Sequence, residues 1–269
     1  MQMIIDRLAL CCLVPSPPSA SDVQFKPRVL ETETPPTVAP NEIFCLAPNH
    51  PLRVQIGGTC AGNAVAEAIE IGMFQLGFVL EPVSGTGCWA QGQLFTAVEH
   101  GHTDASSGAF VQRVLEAAQV WGWPTRTDHP EEGLQELNAK ALGEIVTRAG
   151  RVAKLQHEVI RGGLFGLGNP CNNAEEALRD GKVLVTSGLV DEAFAKAPAG
   201  GVIVPPYGGG GHALAIDSVW YENGQRIWGI LDTWGRGMEE TGVLKRRLHG
   251  TDDWMKSRWE IRATQMVLV

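Results

Sequence analysis

No apolar run in the sequence reaches the ~18 residues that a membrane-spanning helix requires, so no membrane span is expected. Positive charge is scarce too. Lys and Arg number 22 against 30 Asp and Glu, and the net charge of −8 argues against a nucleic-acid-binding surface. The one basic cluster, Lys245-Arg246-Arg247, reads as a solvated strand edge. The six cysteines include no Cys-x-x-Cys pair, the spacing typical of zinc sites. Glu99-His100-Gly101-His102-Thr103-Asp104 has metal-binding letters but no second cluster nearby in sequence, and it reads as a solvated loop. The glycines at 208–211 are followed by His rather than by Lys and Ser or Thr, so they do not form a phosphate-binding loop. Neither a metal nor a cofactor is implied. Residues 8–14 are apolar like the middle of a secretory signal, but Asp6 and Arg7 interrupt the start and no positive leader precedes them, so secretion is not expected.

What is present describes a globular protein. At 269 residues, 44% hydrophobic and 19% charged, the chain is long enough to bury a substantial core. Residues 15–44 hold seven prolines and little periodicity, so 1–44 reads as a Pro-rich N-terminal arm or linker. It is either a plain tether, open to a docking partner of its own, or a short pro-segment or docking strand that crosses the active-site cleft. One domain is expected over 45–269. After Cys60, apolar residues at Ala61, Ala64, Val65, Ala68, Ile69 and Leu76 predict an amphipathic helix that Gly77 stops. Further helices are expected over 109–121, 131–148 and 174–180, the last with Asn173 as N-cap. The period then changes. Residues 183–190, 212–221 and 225–234 read as strands, Asn223-Gly224 joins the last two, and 261–269 adds a closing strand. Helices first and antiparallel strands second predict an α+β arrangement with a site at the seam.

The residues that carry chemistry are far apart in the chain. Cys60, in Gln55-Ile56-Gly57-Gly58-Thr59-Cys60, falls at the start of the first helix, and His212, in Gly211-His212-Ala213, follows 152 residues later (212 − 60). A thiol attacks a carbonyl as thiolate, which a helix N-terminus and a proton-accepting His both favour. His212 then serves as general base and acid. Its other N–H needs an acceptor that fixes the tautomer, and Asp232 is the candidate. With a strict two-residue turn at 223–224, Asp232 points to the opposite sheet face from His212. A three-residue loop over 222–224 shifts the pairing by one and sets Asp232 opposite Leu214, on the same face as His212, so a bulged turn is predicted. The N–H of Cys60 and the amide of Gln55 are the natural oxyanion donors. Trp234 is expected to cover the His212–Asp232 hydrogen bond, and Gly211 with its preceding glycines lets the chain approach closely. If Cys60 stays a thiol, five cysteines remain, an odd number that fits no disulfide framework. A reducing compartment follows, with a Cys45–Cys88 pair left open.

These segments resemble the papain family of cysteine peptidases, particularly its compact bacterial and phage members, over roughly residues 45–269. Gly58-Thr59-Cys60 is similar to the nucleophile motif of that family, Gly211-His212-Ala213 to its histidine strand, and Asp232-Thr233-Trp234-Gly235 to its Asn-Ser-Trp-Gly. The resemblance implies a papain-like two-lobe fold, with a helical left lobe, an antiparallel β right lobe and a cleft between. It also implies cysteine endopeptidase activity on protein or peptide substrates. A cytoplasmic or virion-associated setting is expected. Several positions depart from the family pattern. Ala61 stands where Trp or Val is usual, Gly57 where a cysteine often precedes the nucleophile, and Gln55 lies five rather than six residues ahead of the Cys. Asp232 replaces Asn, and a carboxylate there is expected to favour imidazolium more strongly. Two rivals remain: a virion- or assembly-associated binding protein that keeps a papain-like body, and a transglutaminase-like or amidase-like thiol enzyme, whose His follows the Cys more closely.

Overall fold

Ala61, Ala64, Ala66 and Ala68 are strong helix formers. In the structure, a computed structural model, Cys60–Gln75 is helix α1, and Gly77 follows it with a φ of 82°. The structure describes residues 42–78, 81–100 (backbone only for 98–100), 108–131, 145–146, 153–160, 169–206 and 208–269. Residues 1–41 of the expected arm, the loop following His100 and most of the helix expected over 131–148 lie outside the described residues, whereas Phe44, the last residue of that arm, begins a strand of the sheet.

Every residue of α1 from Cys60 to Ile69 is buried, so it is a core rod rather than the amphipathic helix expected. Helices α2 (Gly85–His100) and α3 (Val111–Trp121) pack together, and both contact α1. A Cβ at Gly62 would overlap the carbonyl of Gly85, so α1 and the start of α2 meet backbone to backbone. Three glycines weaken the helix signal of α2, which the sequence reading missed. Gly92 gives the reason for one of them: its missing side chain is the space that Val114 of α3 fills. Helix α4 is Pro170–Arg179, with Asn169 rather than Asn173 as N-cap. The Asn169 side chain accepts the Cys171 N–H at 3.0 Å, and Pro170 takes the first helical position, where its missing N–H is not needed. Three short helices follow: α5 (Glu192–Lys196), α6 (Val243–Arg246) and α7 (Asp252–Lys256).

The strands are β1 (Phe44–Cys45), β2 (Ala153–Val159), β3 (Val183–Val190), β4 (Val202–Ile203), β5 (Gly210–Glu222), β6 (Gln225–Leu231), β7 (Leu248–Thr251) and β8 (Glu260–Leu268). They form one sheet in the order β2-β8-β3-β5-β6-β7-β4, with β1 beside β5, antiparallel except between β4 and β7. The tail strand β8 runs inside the sheet, between β2 and β3. Side chains alternate between two cores. Val183, Val185, Ala213, Ala215 and Leu231 pack with α1, α2 and α3. Leu184, Leu214, Ile216 and Ile230 pack with Leu178 of α4, Phe194 of α5 and Trp254 of α7. Among the described residues, no helix is long and apolar enough to cross a membrane.

The β5–β6 hairpin corrects one expectation. Its turn is a strict two-residue one: Glu222 pairs with Gln225, and Asn223 and Gly224 have φ of 50° and 78°, the type I′ geometry. The register nevertheless shifts by one, between Ile216 and Ser218, through a bulge at Asp217. Below it Ala215 pairs with Leu231, so one step further Asp232 falls opposite Leu214, on the His212 face. The cause is electrostatic. Asp217 accepts from Arg247 Nε at 3.0 Å and NH2 at 2.7 Å, both side chains are fully buried, and the Asp217 carbonyl accepts the Leu46 N–H at 2.9 Å. Arg247 is thus a core residue and not part of a solvated edge. Cys45 and Cys88 are both thiols, so that open pair does not form.

Midway along α1, Glu67 is fully buried and neither carboxyl oxygen has a hydrogen-bond partner. Burial pushes its pKa up to about 8, against the pull of Arg53 and Arg247. The folded protein therefore holds a proton that the unfolded chain releases near pH 4.5, and stability drains away as pH rises from there through about 8. Glu67→Gln removes the titration. We expect the variant to gain on the native protein by several kcal/mol between pH 5 and 9, read as diverging urea midpoints.

Candidate active site

Cys60 is the first residue of α1, after Thr59, and no acidic residue occupies the first turn. The positive end of the helix dipole therefore acts on the sulfur unopposed by a neighbouring carboxylate. Gly57, with a φ of 58°, turns the chain between Gln55 and this helix start. Gln55 is tied to the loop after β6. Its backbone N–H donates to Thr233 O at 2.8 Å, its Oε1 accepts from Thr233 Oγ1 at 2.6 Å, and Val54 bridges Trp234. Its Nε2 donates to Gly57 O at 2.9 Å, leaving the second N–H for another acceptor.

His212 stands on β5 with Gly188 of β3 as its cross-strand partner. Its ring packs against Trp234 at 4.7 Å between centroids and against Phe194 of α5 at 5.8 Å. Trp234 thus covers the imidazole rather than the expected His212–Asp232 hydrogen bond, and Phe194 is a second wall that the sequence reading missed. Gly211 is buried beside Leu189, and a Cβ at Gly209 would overlap the Val190 carbonyl, the close approach foreseen for the glycine run.

Asp232 departs from expectation. It is 1% exposed and lies on the His212 face, but both its oxygens are held by Arg236, through Nε at 2.7 Å and NH2 at 3.0 Å. Neither ring nitrogen of His212 has a hydrogen-bond partner, so the His212–Asp232 bond is not made. The imidazole is neutral at physiological pH. Burial lowers its pKa to about 3, with Arg236 and Arg258 adding to that fall and Asp232 opposing it. An imidazolium, expected from the Cys–His chemistry, is therefore absent from this state. Cys60 and His212 are both fully screened from solvent, so a substrate reaches them only after their cover moves. Arg236 went unnoticed in the sequence. The signal was an opposite charge four residues after Asp232, with Gly235 at a φ of 81° turning the chain between them.

The described His, Cys, Asp and Glu residues form no cluster of three that could hold a metal. No family model matches the sequence, and no curated protein matches it. Solved structures do. Xylellain, a cysteine protease from Xylella fastidiosa, superposes with a TM-score of 0.71 at 15% identity, covering 94% of this chain and 95% of that one. The fold is papain-like. A procathepsin B from Trypanosoma congolense gives 0.65 at 14% identity, covering 99% of this chain and 88% of that one. A digestive procathepsin L 3 from the larval midgut of Tenebrio molitor gives 0.63 at 11%, covering 98% and 79%. In this papain-like frame, α1 to α3 build the helical side and β5 and β6 supply the histidine and the loop that carries Trp234.

Proposed function

We propose that the chain is a cysteine endopeptidase of the compact bacterial or phage type, hydrolysing peptide bonds through an acyl-enzyme on Cys60. The observation that carries this reading is Cys60 at the N-terminus of the central helix of a papain-like fold, with no acidic residue in its first turn. In the reaction, the Cys60 proton passes to His212 as the sulfur attacks the substrate carbonyl. The developing oxyanion takes hydrogen bonds from the Cys60 N–H and the second Nε2–H of Gln55. The C–N bond breaks as His212 returns the proton to the leaving amine. Water, deprotonated by His212, then hydrolyses the thioester. Trp234 shields the imidazole, Asp232 is the carboxylate whose charge favours its protonated form, and Gly211 lets its strand approach. The catalytic domain spans 45–269, and 1–44 is an arm. A reducing setting, cytoplasmic or virion-associated, agrees with the thiols at Cys45, Cys88 and Cys171.

The test is labelling of the full chain with an epoxide thiol probe, followed by peptide mapping, beside hydrolysis of an internally quenched peptide. We expect stoichiometric modification at Cys60 with parallel loss of hydrolysis. A silent Cys60 and no hydrolysis of any peptide would make the chain a binding module instead.

A further inference from the structure

We infer that Arg236 is a positioning residue of this site: its two-pronged grip on Asp232 holds the carboxylate off the His212 ring and so sets the charge the imidazole carries. The inference rests on reading His212 as the acid–base partner of Cys60.

Arg236 is anchored for this task. Beyond the two bonds to Asp232, its NH1 donates to the carbonyls of Phe194 at 2.5 Å and Ala197 at 3.1 Å, at the end of α5. Its Cζ lies 4.8 Å over the Phe194 ring and 5.3 Å over that of Trp234. The same two rings flank His212, so guanidinium and imidazole share one pair of aromatic walls. Both donors of the fork meet both carboxylate oxygens, the strongest arrangement such a pair has. A carboxylate bound this way is charge-compensated before the imidazole can call on it. The Asn that the family pattern has at this position is a neutral amide with a single acceptor oxygen, so it cannot make this charge-paired, two-pronged bond.

The other charges facing His212 act in the same direction as Arg236. Arg258, ahead of β8, lies against Gly188, the direct strand partner of His212, and donates to Leu189 O at 2.9 Å. Strand β3 carries no charged side chain. On α5, Glu192 and Lys196 pair with each other at the exposed surface. Cys60, at the start of α1, is the titratable group that the peptidase reading sets against the ring. Among the described residues, Asp232 is thus the anion that favours an imidazolium at 212, and Arg236 occupies it.

The test reads His212 directly. Nitrogen-15 imidazole spectra of Cys60→Ala are compared with those of Cys60→Ala/Arg236→Gln across pH. Releasing Asp232 should raise the His212 titration midpoint by about one pH unit or more. Arg236→Lys keeps the charge but loses the fork. It should give a smaller rise in the same direction, and it serves if the Gln variant fails to fold. Adding Asp232→Asn to Arg236→Gln should cancel most of the rise. With Cys60 in place, Arg236→Gln should carry iodoacetamide labelling of Cys60 to lower pH, by roughly tenfold in rate at pH 6 for each pH unit gained. An unchanged or lowered midpoint in both Arg236 variants overturns the inference. If Cys60 resists labelling at every pH, the nucleophile reading fails instead, and the His212 midpoint still decides the role of Arg236.

Discussion

Cys60→Ala is expected to reduce peptide hydrolysis by a factor on the order of 10⁶, the loss seen when a covalent nucleophile is removed while its surroundings stay. The fold should hardly notice. Position 60 is helical, Ala is the best helix former, and the change deletes one buried sulfur, which costs about 1 kcal/mol. Activity and stability therefore separate cleanly: turnover of a quenched peptide disappears while the melting curve moves by a few degrees. His212→Ala should behave alike, and the double variant should be no slower than either single one, since sulfur and imidazole act as a unit. Turnover that survives in Cys60→Ala would place the chemistry elsewhere.

The second large effect concerns stability. Arg247→Met is expected to destabilise the protein by about 3–5 kcal/mol. It strands the Asp217 carboxylate, which is fully buried and, among the described residues, otherwise holds Ser218 Oγ at 3.0 Å and the weak Cys45 thiol donor at 3.6 Å. The Ala47 carbonyl loses its Arg247 partner at 3.1 Å as well. The paired change Asp217→Leu/Arg247→Met should recover most of the loss, because two charges that leave together strand nothing. Urea titrations of the two variants read the difference. Equal losses in the single and paired variants would mean that packing, and not the ion pair, holds this corner. The bulge at Asp217 sets the register of β5, so the single variant should also lower activity beyond what unfolding explains.

Much of this fold could be read in the sequence where the signal was local. The alanines after Cys60, the stop at Gly77 and the Asn223-Gly224 turn are properties of neighbouring residues, and the structure has helix, stop and turn at those places. Strand β3 coincides with the expected 183–190. What escaped was set by distant partners. The three glycines of α2 look like helix breakers until Gly85 is seen against Gly62 and Gly92 against Val114. The need for a one-residue register shift was deduced correctly from the wish to bring Asp232 to the face of His212. Its position was not, because the cause is Arg247, thirty residues from Asp217 in sequence. The candidate site divides in the same way. Cys60, Gln55, His212 and Trp234 are marked by their own motifs, and Asp232 by its place in one. The bond that Asp232 makes depends on Arg236, whose letter carries no special meaning until the Gly235 turn folds it back.

The extra residue in β5 has an evolutionary corollary. Losing it would slide Gly210 to Ile216 by one position against β6, so Asp232 would exchange faces and leave the histidine side for the helix-facing core. The hairpin tip at 223–224 lies beyond this kink and can drift in length or composition without moving the site. Between the kink and the histidine, insertions and deletions are closed to the lineage, whereas point changes remain open.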